Sequence, residues 1–275
     1  MKTLAARIEG IGFWADRLPS WELARAFARG GALPATATRP SPQLLAANER
    51  RRAPQTVAVA LEAGLAACTA AGRDPATLPS VFVSTHGDLA ITDYMCSTLA
   101  SQPRSLSPTR FHNSVHNAAA GYWTIGTGAM QAATAISAMD ASFAQGLLEA
   151  LVLLAGGEEA VLLVAYDAGA SGPLGEQAPS VGLLGGALVL SEGGPETGPV
   201  LQATLADGDP SPADGPLALH AAGNAMAPML PLFDALARGT TASGQAAPVR
   251  LDAGAGRVLS IALLPGAAAM ESVDA

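Results

Sequence analysis

The chain has 275 residues, of which 49% are hydrophobic and 4% aromatic, and its formal net charge at pH 7 is −8. This length is enough for one large domain or two small ones. The negative charge argues against a nucleic-acid-binding protein, which would carry basic patches. Every long apolar run is interrupted by Gly, Glu or Asp, and the two cysteines are too few for a disulfide framework or a cysteine-based metal site. Because the N-terminus lacks a sustained apolar run and a cleavage site, we expect no signal peptide and a cytoplasmic location. We also expect no metal and no cofactor.

Strand and helix patterns alternate along the chain, which indicates an α/β sheet covered by helices on both faces. The strand signals fall at 8–14, 81–84, 133–136, 161–166, 183–190, 200–205 and 258–264. The helix signals fall at 21–28, 54–71, 92–100, 143–154 and 225–238. Gly10 and Gly12 lie inside the first strand and indicate a close backbone approach or a bulge. Turn-forming residues predict loops at 169–181 and 206–216, a linker at 239–248 and a frayed tail at 266–275.

The stretch from 133 to 166 predicts a strand–helix–strand unit, which favours a parallel strand pair with a right-handed crossover. Between its first strand and its helix lies a sharp turn at 137–142. Many enzymes place a nucleophile at such a turn, because the N-terminus of the following helix offers free N–H groups to an oxyanion. No cysteine lies in this turn.

Three consecutive arginines, Arg50, Arg51 and Arg52, precede the helix predicted at 54–71. The favoured interpretation is a solvated helix start, since short runs of charge usually have that role. The functional alternative is a docking patch for an acidic partner such as a carrier protein.

Four further residues could carry chemistry, and for each we favour a structural role. Cys68 lies on the apolar stripe of its helix and is expected in the core. Cys96 has no neighbour in sequence that would lower its pKa, so we do not expect a nucleophile. His86 and Asp88 follow a strand and resemble an acid–base or metal pair, but two residues alone are weak evidence.

His112 and His116 are four residues apart, so on a helix they would share one face. Such a pair could bind a metal, but no HExxH pattern or carboxylate partner accompanies it. We therefore favour hydrogen-bonded histidines at a packed interface. Asn113 and Asn117 repeat the spacing, which indicates polar groups satisfied internally or across an interface.

The segment SVHNAAAGYW at 114–123 is the most specific of several pieces that resemble the N-terminal half of β-ketoacyl-acyl-carrier-protein synthases. The other pieces, which together cover most of 1–205, are IEGIGFWADRLPSW, the three arginines, VFVSTHGD, SPTRFHN and LLVAYDA. More narrowly, the chain resembles short β-ketoacyl synthase-like N-terminal proteins, which occur with aryl polyene and related pathways. The resemblance implies a single domain over 1–275 with a thiolase-like fold and a mixed sheet, and a divergent segment from about 206.

The resemblance places Asp140 where the family has its nucleophilic cysteine, and Ser142 on the family's serine. A shift of one residue would place Met139 or Ala141 there instead, and none of the three is a thiol. The family's two catalytic histidines lie in EAHGTGT-like and KSxxGH-like motifs, which are missing here, and His220 lacks their surroundings. A carboxylate replaces a thiolate poorly, because its mixed-anhydride product is easily hydrolysed. We therefore expect no catalytic residue.

The resemblance implies a non-elongating subunit of chain-length-factor type. It would form a heterodimer with a catalytic ketosynthase in fatty acid, aryl polyene or polyketide biosynthesis, with an acyl carrier protein as a further partner. The candidate tunnel and interface residues are Asn113, His116, Asn117, Met130, Met139, Asp140, Ser142 and Phe143.

Met130, Met139 or Phe143 would mark the end of the acyl tunnel, although for any one of them we favour a place in this subunit's own core. Two other functions stay open. One is an independent acyltransferase or hydrolase that uses Asp140, Ser142 or Cys96 on an acyl thioester. The other is a homodimer that binds acyl chains without turnover.

Overall fold

The computed structural model describes residues 3–36, 39–193, 198–239 and 247–266. The strands are β1 (Leu4–Ala15), β2 (Ser80–Val83), β3 (Ala133–Ile136), β4 (Ala160–Asp167), β5 (Leu184–Ser191), β6 (Val200–Asp207), β7 (Val249–Gly254) and β8 (Arg257–Leu264). The helices are α1 (Trp21–Ala28), α2 (Ala47–Arg50), α3 (Gln55–Ala71), α4 (Leu89–Ser101), α5 (Pro108–Asn113), α6 (Ala118–Thr127), α7 (Ser142–Ala155), α8 (Gly172–Gln177), α9 (Pro216–His220) and α10 (Leu230–Arg238). Most of the linker predicted at 239–248 and of the tail predicted at 266–275 lies outside the described residues.

All eight strands belong to one sheet, in the order β3-β2-β4-β5-β1-β6-β8-β7. β2 pairs in parallel with β3 and with β4, and the other neighbouring strands pair antiparallel, so the sheet is mixed as predicted. The predicted strand–helix–strand unit is present as β3, α7 and β4. Its two strands are parallel but not neighbours, because β2 lies between them.

Helices cover both faces of the sheet, which confirms the predicted layering. On one face α3 and α6 bury Trp14, Phe82 and Trp123. On the other face lie α1, α7 and α10, where the ring of Phe233 lies 5.6 Å from that of Phe13 and 6.2 Å from that of Phe143. Among the described residues, no helix combines the length and the apolar character that crossing a bilayer requires.

The two glycines of β1 allow α3 to lie directly on the strand. A Cβ atom on Gly10 would come within 2.2 Å of the carbonyl oxygen of Ala67, and one on Gly12 within 1.9 Å of that of Ala63. The pairing of β1 with β5 also shifts its register between Ile8 and Gly10. Both predicted consequences of these glycines, a close backbone approach and a bulge, are therefore present.

The segment after about 206 folds onto the same sheet. β6 pairs with β1, and β8 and β7 extend the sheet beyond it. Asp234 on α10 is buried and accepts hydrogen bonds from the backbone N–H groups of Leu217 and Ala218, both at 3.0 Å, which fixes α9 against α10. The residues after about 206 thus add two strands, β7 and β8, and part of the helical layer.

Several local predictions differ from the structure. The helix predicted at 92–100 begins at Leu89, because the Asp88 carboxylate caps it by accepting from Ile91 N at 3.0 Å. The loop predicted at 169–181 contains the short helix α8. No strand was predicted at β7, although its apolar and polar residues alternate, and it joins the sheet through its antiparallel neighbour β8.

Candidate functional site

The predicted sharp turn follows β3 directly. The chain passes from Ile136 through a single 3₁₀ turn, Met139–Ala141, into α7. Met139 has a φ of +52°, in the left-handed region that residues other than glycine rarely adopt. This backbone turns α7 back across the sheet and leaves the side chains of Met139 and Asp140 exposed.

Ser142 holds this turn in place. Its hydroxyl donates to the Met139 carbonyl oxygen at 2.6 Å and accepts from Ala138 N at 2.9 Å. The side chain is 1% exposed and its proton is already engaged, so the structure assigns it a structural role. This geometry argues against Ser142 as the nucleophile of an acyl-thioester enzyme.

The side chains available at the turn are a thioether, a carboxylate and a methyl group, from Met139, Asp140 and the buried Ala141. Neither cysteine lies on this turn. Cys68 is buried on α3, as predicted, and burial together with the charge of Asp74 raises the pKa of its thiol to about 12. Cys96 is exposed on α4.

The histidines have other partners. His116 Nε2 lies 2.8 Å from the carbonyl oxygen of Ser84, and His220 Nε2 lies 2.8 Å from that of Asp16. His112 is exposed and packs edge-on against Tyr122. His112 and His116 do not lie on one helix, because α5 ends at Asn113. The described ranges contain no group of three His, Cys, Asp or Glu side chains that could hold a metal ion.

The carboxyl ends of the three parallel strands meet in a buried polar network beside the turn. Asp167, at the end of β4, accepts from Ser84 Oγ at 2.6 Å and from Thr85 N at 3.0 Å. Ser137 Oγ, at the start of the turn, donates to the carbonyl oxygen of Thr85 at 2.8 Å. Burial raises the pKa of the Asp167 carboxyl. The network therefore fixes the turn relative to β2 and β4.

Sequence reasoning missed Asp167, although one signal was available. Asp167 is the single carboxylate of an otherwise uncharged strand whose residues are all buried. The nearby Asp88 has the structural role that we favoured, since it caps α4 and accepts from Thr56 Oγ1 at 3.0 Å.

The hairpin of β7 and β8 covers the other side of the turn. Gln145 Nε2 on α7 donates to the carbonyl oxygen of Ala253 at 2.7 Å, and a Cβ on Gly254 would lie 3.7 Å from that of Ala141. The hairpin tip consists of Gly254, Ala255 and Gly256. It therefore brings small side chains, and no imidazole, against the turn.

β3 is the terminal strand at one end of the sheet, and exposed apolar side chains lie beside it in the chain. Met130 is 95% exposed, Ile125 77% and Met139 61%. Phe143 is buried in the core against Phe233. The core placement favoured from sequence thus holds for Phe143 but is wrong for Met130 and Met139.

At the opposite end of the sheet a loop covers the terminal strand β7. Ser211 N donates to the Arg250 carbonyl oxygen at 2.8 Å, and Arg250 N donates to Ser211 Oγ at 2.9 Å. The two ends of the sheet therefore differ. At one end Arg250 of β7 is hydrogen-bonded to Ser211, and β3 has no such bond at its outer edge among the described residues.

The remaining predicted residues lie apart from the turn. Arg50 is the last residue of α2, and Arg51 and Arg52 are exposed in the loop before α3. Asn113 is buried, and its Oδ1 has no hydrogen-bond partner in the described structure. Asn117 is exposed at the start of α6.

Comparison with known proteins places this arrangement in context. The family model described as beta-ketoacyl synthase, N-terminal domain, matches residues 21–229. A search of curated proteins finds no match. The chain is similar to a chain of the ketosynthase ApeO in complex with its chain length factor ApeC from Xenorhabdus doucetiae, with 24% identity over 94% of this chain and 99% of that chain and a TM-score of 0.71.

Two further structures are similar. For the ishigamide ketosynthase/chain length factor the identity is 16%, over 95% of this chain and 99% of that chain, with a TM-score of 0.70. For a β-ketoacyl synthase from Burkholderia phymatum STM815 the identity is 16%, over 69% of this chain and 59% of that chain, with a TM-score of 0.54. At these identities the likeness concerns the fold, which is thiolase-like, as the sequence predicted.

Proposed function

The chain belongs to the β-ketoacyl synthase N-terminal domain family, and from that premise we propose that it is a non-elongating subunit of chain-length-factor type. It pairs with a catalytic ketosynthase, and the complex acts in fatty acid, aryl polyene or polyketide biosynthesis. Two of the similar structures bear the names of ketosynthase–chain length factor assemblies, which supports this choice.

The observation that carries the proposal is the sharp turn after β3, which carries no thiol. Met139 has a positive φ and the Ser142 hydroxyl has two hydrogen bonds. The Ser137 hydroxyl donates to the carbonyl oxygen of Thr85, and the other exposed side chains of the turn are a thioether and a carboxylate. Attack by Asp140 on a thioester would form a mixed anhydride and release a thiolate, and water would then hydrolyse the anhydride. Such a site does not retain an acyl chain for condensation.

The free edge of the sheet supports pairing with another subunit. Among the described residues β3 is a terminal strand whose outer edge pairs with no other strand, and natural proteins usually protect such an edge or use it for association. Ile125, Met130 and Met139 are exposed near it in the chain. Large exposed apolar side chains beside a free strand edge are typical of an interface with another protein. We therefore infer that the ketosynthase binds at this edge.

The three residues predicted to end the acyl tunnel, Met130, Met139 and Phe143, differ in their exposure. Met130 and Met139 are free to enter a tunnel that the partner forms, whereas Phe143 is committed to the core of this chain. We propose that one or both methionines limit the length of the acyl chain in the partner's tunnel. Arg50, Arg51 and Arg52 remain our proposed docking patch for the acyl carrier protein.

The test is to purify the chain alone and with a ketosynthase encoded near its gene, and to incubate each preparation with an acyl-loaded carrier protein. We expect a stable complex, and acylation of the ketosynthase but not of this chain. Acylation of the isolated chain that is lost in Asp140→Ala or Cys96→Ala would instead support the acyl-thioester enzyme. A stable homodimer that binds acyl chains and ignores the ketosynthase would support the third function.

The proposed binding edge has its own test in Ile125→Asp and Met130→Asp. A buried carboxylate in an apolar interface is strongly unfavourable, so we expect each change to weaken complex formation by at least about tenfold. Leu174→Asp is the matched control, because Leu174 is also exposed but lies on α8. If Leu174→Asp weakened the complex as much as the other two changes, the assignment of this edge would be wrong.

A further inference from the structure

The methionines of the described structure fall into two groups. Met95, Met226 and Met229 are buried, with at most 8% of each residue exposed, whereas Met130 is 95% exposed and Met139 61%. The two exposed methionines lie three residues before and three residues after β3, the terminal strand of the sheet. The proposed binding edge is therefore flanked in the chain by exposed thioethers, while the other described thioethers are shielded from solvent.

Hydrogen peroxide converts an accessible methionine to methionine sulfoxide. One oxygen atom of the peroxide bonds to the sulfur as the O–O bond breaks, and the rest of the peroxide leaves as water, so the sulfur is oxidised and the peroxide is reduced. The product has a polar, chiral side chain in place of a flexible apolar one. Because the peroxide must reach the sulfur, exposure predicts that Met130 and Met139 are oxidised before the three buried methionines.

The turn after β3 has no hydroxyl donor to offer a sulfoxide at Met139. The hydroxyls of Ser137 and Ser142 already donate to the carbonyl oxygens of Thr85 and Met139, at 2.8 Å and 2.6 Å. The neighbouring Asp140 is a carboxylate, which accepts hydrogen bonds and donates none. An apolar partner surface that covers the sulfoxide oxygen therefore removes water from it without replacing the lost hydrogen bond, which is unfavourable.

We propose that Met130 and Met139 form an oxidation site, at which peroxide weakens pairing with the ketosynthase. The inference rests on the proposed function, because it takes the outer edge of β3 as the surface that the partner covers. Oxidation acts on the unpaired chain, in which both thioethers are exposed, and the partner shields them once it is bound. Methionine sulfoxide reductases, with a thiol as the reductant, return the sulfoxides to thioethers and so restore pairing.

Peptide mapping by mass spectrometry, after timed exposure of the full chain to hydrogen peroxide, tests where oxygen is added. The starting protein is Cys96→Ser, because Cys96 is exposed and its thiol would also be oxidised. We expect Met130 and Met139 to gain oxygen at least about tenfold faster than the three buried methionines. In the preformed complex with the ketosynthase, we expect both rates to fall towards those of the buried methionines.

The affinity for the ketosynthase is then measured with the oxidised chain, from which peroxide is removed before mixing so that the partner is not oxidised. We expect oxidation to weaken the complex at least about tenfold, and treatment with the reductases to reverse the loss. The matched control is the double variant Met130→Leu, Met139→Leu, because leucine has a similar volume and no sulfur to oxidise. Whatever its starting affinity, the double variant should bind equally tightly before and after peroxide treatment.

Oxidation of the buried methionines as fast as of Met130 and Met139, equally fast oxidation in the complex, or an equal loss of affinity in the double variant would each overturn the inference. A chain that does not bind the ketosynthase before any treatment would overturn the proposed function, and this inference with it. A chain that binds before treatment, and binds equally tightly once both sulfoxides have formed, would overturn this inference alone. The two failures can therefore be distinguished.

Discussion

Met139 and Ser142 show how single residues keep the shape of the turn after β3. A positive φ costs a residue other than glycine about 1–2 kcal/mol, so the surrounding structure must hold Met139 in place. Ser142 does so through its hydrogen bonds to the two residues on either side of the bend, Ala138 and Met139. The serine is therefore a structural residue of the turn.

Ser142→Ala tests this role. The change leaves the Ala138 N–H without its acceptor and the Met139 carbonyl without its donor, so we expect the free energy of unfolding to fall by about 1–3 kcal/mol. The measurement is urea denaturation of both proteins. Ser101→Ala is the control, because Ser101 is exposed and bonds only within α4, and it should change stability by less than about 0.5 kcal/mol. Equal stability of the two variants would contradict the role given to Ser142.

The raised pKa of the Asp167 carboxyl makes the free energy of unfolding depend on pH. Burial raises the pKa of its carboxyl in the folded protein above the unfolded value of about 3.9, so the folded protein binds this proton more tightly. The stabilisation from this group is complete below the unfolded pKa and is lost as the pH rises through the raised pKa. We therefore expect wild type to lose stability relative to Asp167→Asn as the pH rises from the unfolded pKa of about 3.9 through the raised folded pKa.

The measurement for Asp167 is the difference in the free energy of unfolding between the two proteins across that range. The difference isolates Asp167 from Asp234, whose pKa burial also raises. A difference that grows in favour of wild type with increasing pH would show that the hydrogen bonds from Ser84 and Thr85 outweigh burial.

Among the elements, α3 lies so close to β1 that no side chain would fit at Gly10 or Gly12. Gly12→Ala places a methyl group 1.9 Å from the Ala63 carbonyl oxygen, so the helix must move away from the strand. We expect a loss of about 3 kcal/mol in the free energy of unfolding. Gly121→Ala on α6 is the control, because a Cβ there meets no atom within 4 Å, and it should stabilise by about 0.5–1 kcal/mol. Similar effects of the two changes would contradict this packing.

At the scale of the whole molecule, the two ends of the sheet predict how the isolated chain behaves. At one end Arg250 of β7 is hydrogen-bonded to Ser211, whereas no described segment pairs with the outer edge of β3, and exposed apolar side chains lie near it. We expect the purified chain to self-associate at high concentration, and the ketosynthase to suppress this. Sedimentation of the chain across a concentration series, alone and with partner, measures the effect. A monodisperse monomer at high concentration would count against pairing through this edge.

The sequence predicted most elements because their patterns are local. The apolar stripe on α7 indicates a helix through side chains three and four residues apart, and the glycines of β1 indicate a close backbone approach because they have no side chain. β7 was missed although Val249 and Leu251 alternate with Arg250 and Asp252, which is the pattern of a strand with one exposed face. It joins the sheet through a hairpin with β8.

For the candidate site, too, the sequence determined some features and the tertiary structure decided others. The absence of a thiol at 137–142 was determined by the sequence, because it is a matter of residue identity. The positive φ of Met139, the engagement of Ser142 and the burial of Asp167 were decided by the tertiary structure. The burial of Asp167 depends on groups brought together from distant positions, such as Ser84, and periodicity in a sequence has no information about such distances. Met139 and Ser142 depend on a local backbone bend, whose geometry the residue pattern does not specify. Met130 is exposed and Phe143 is buried although both side chains are apolar, because only the packing of the folded chain decides which of them is covered.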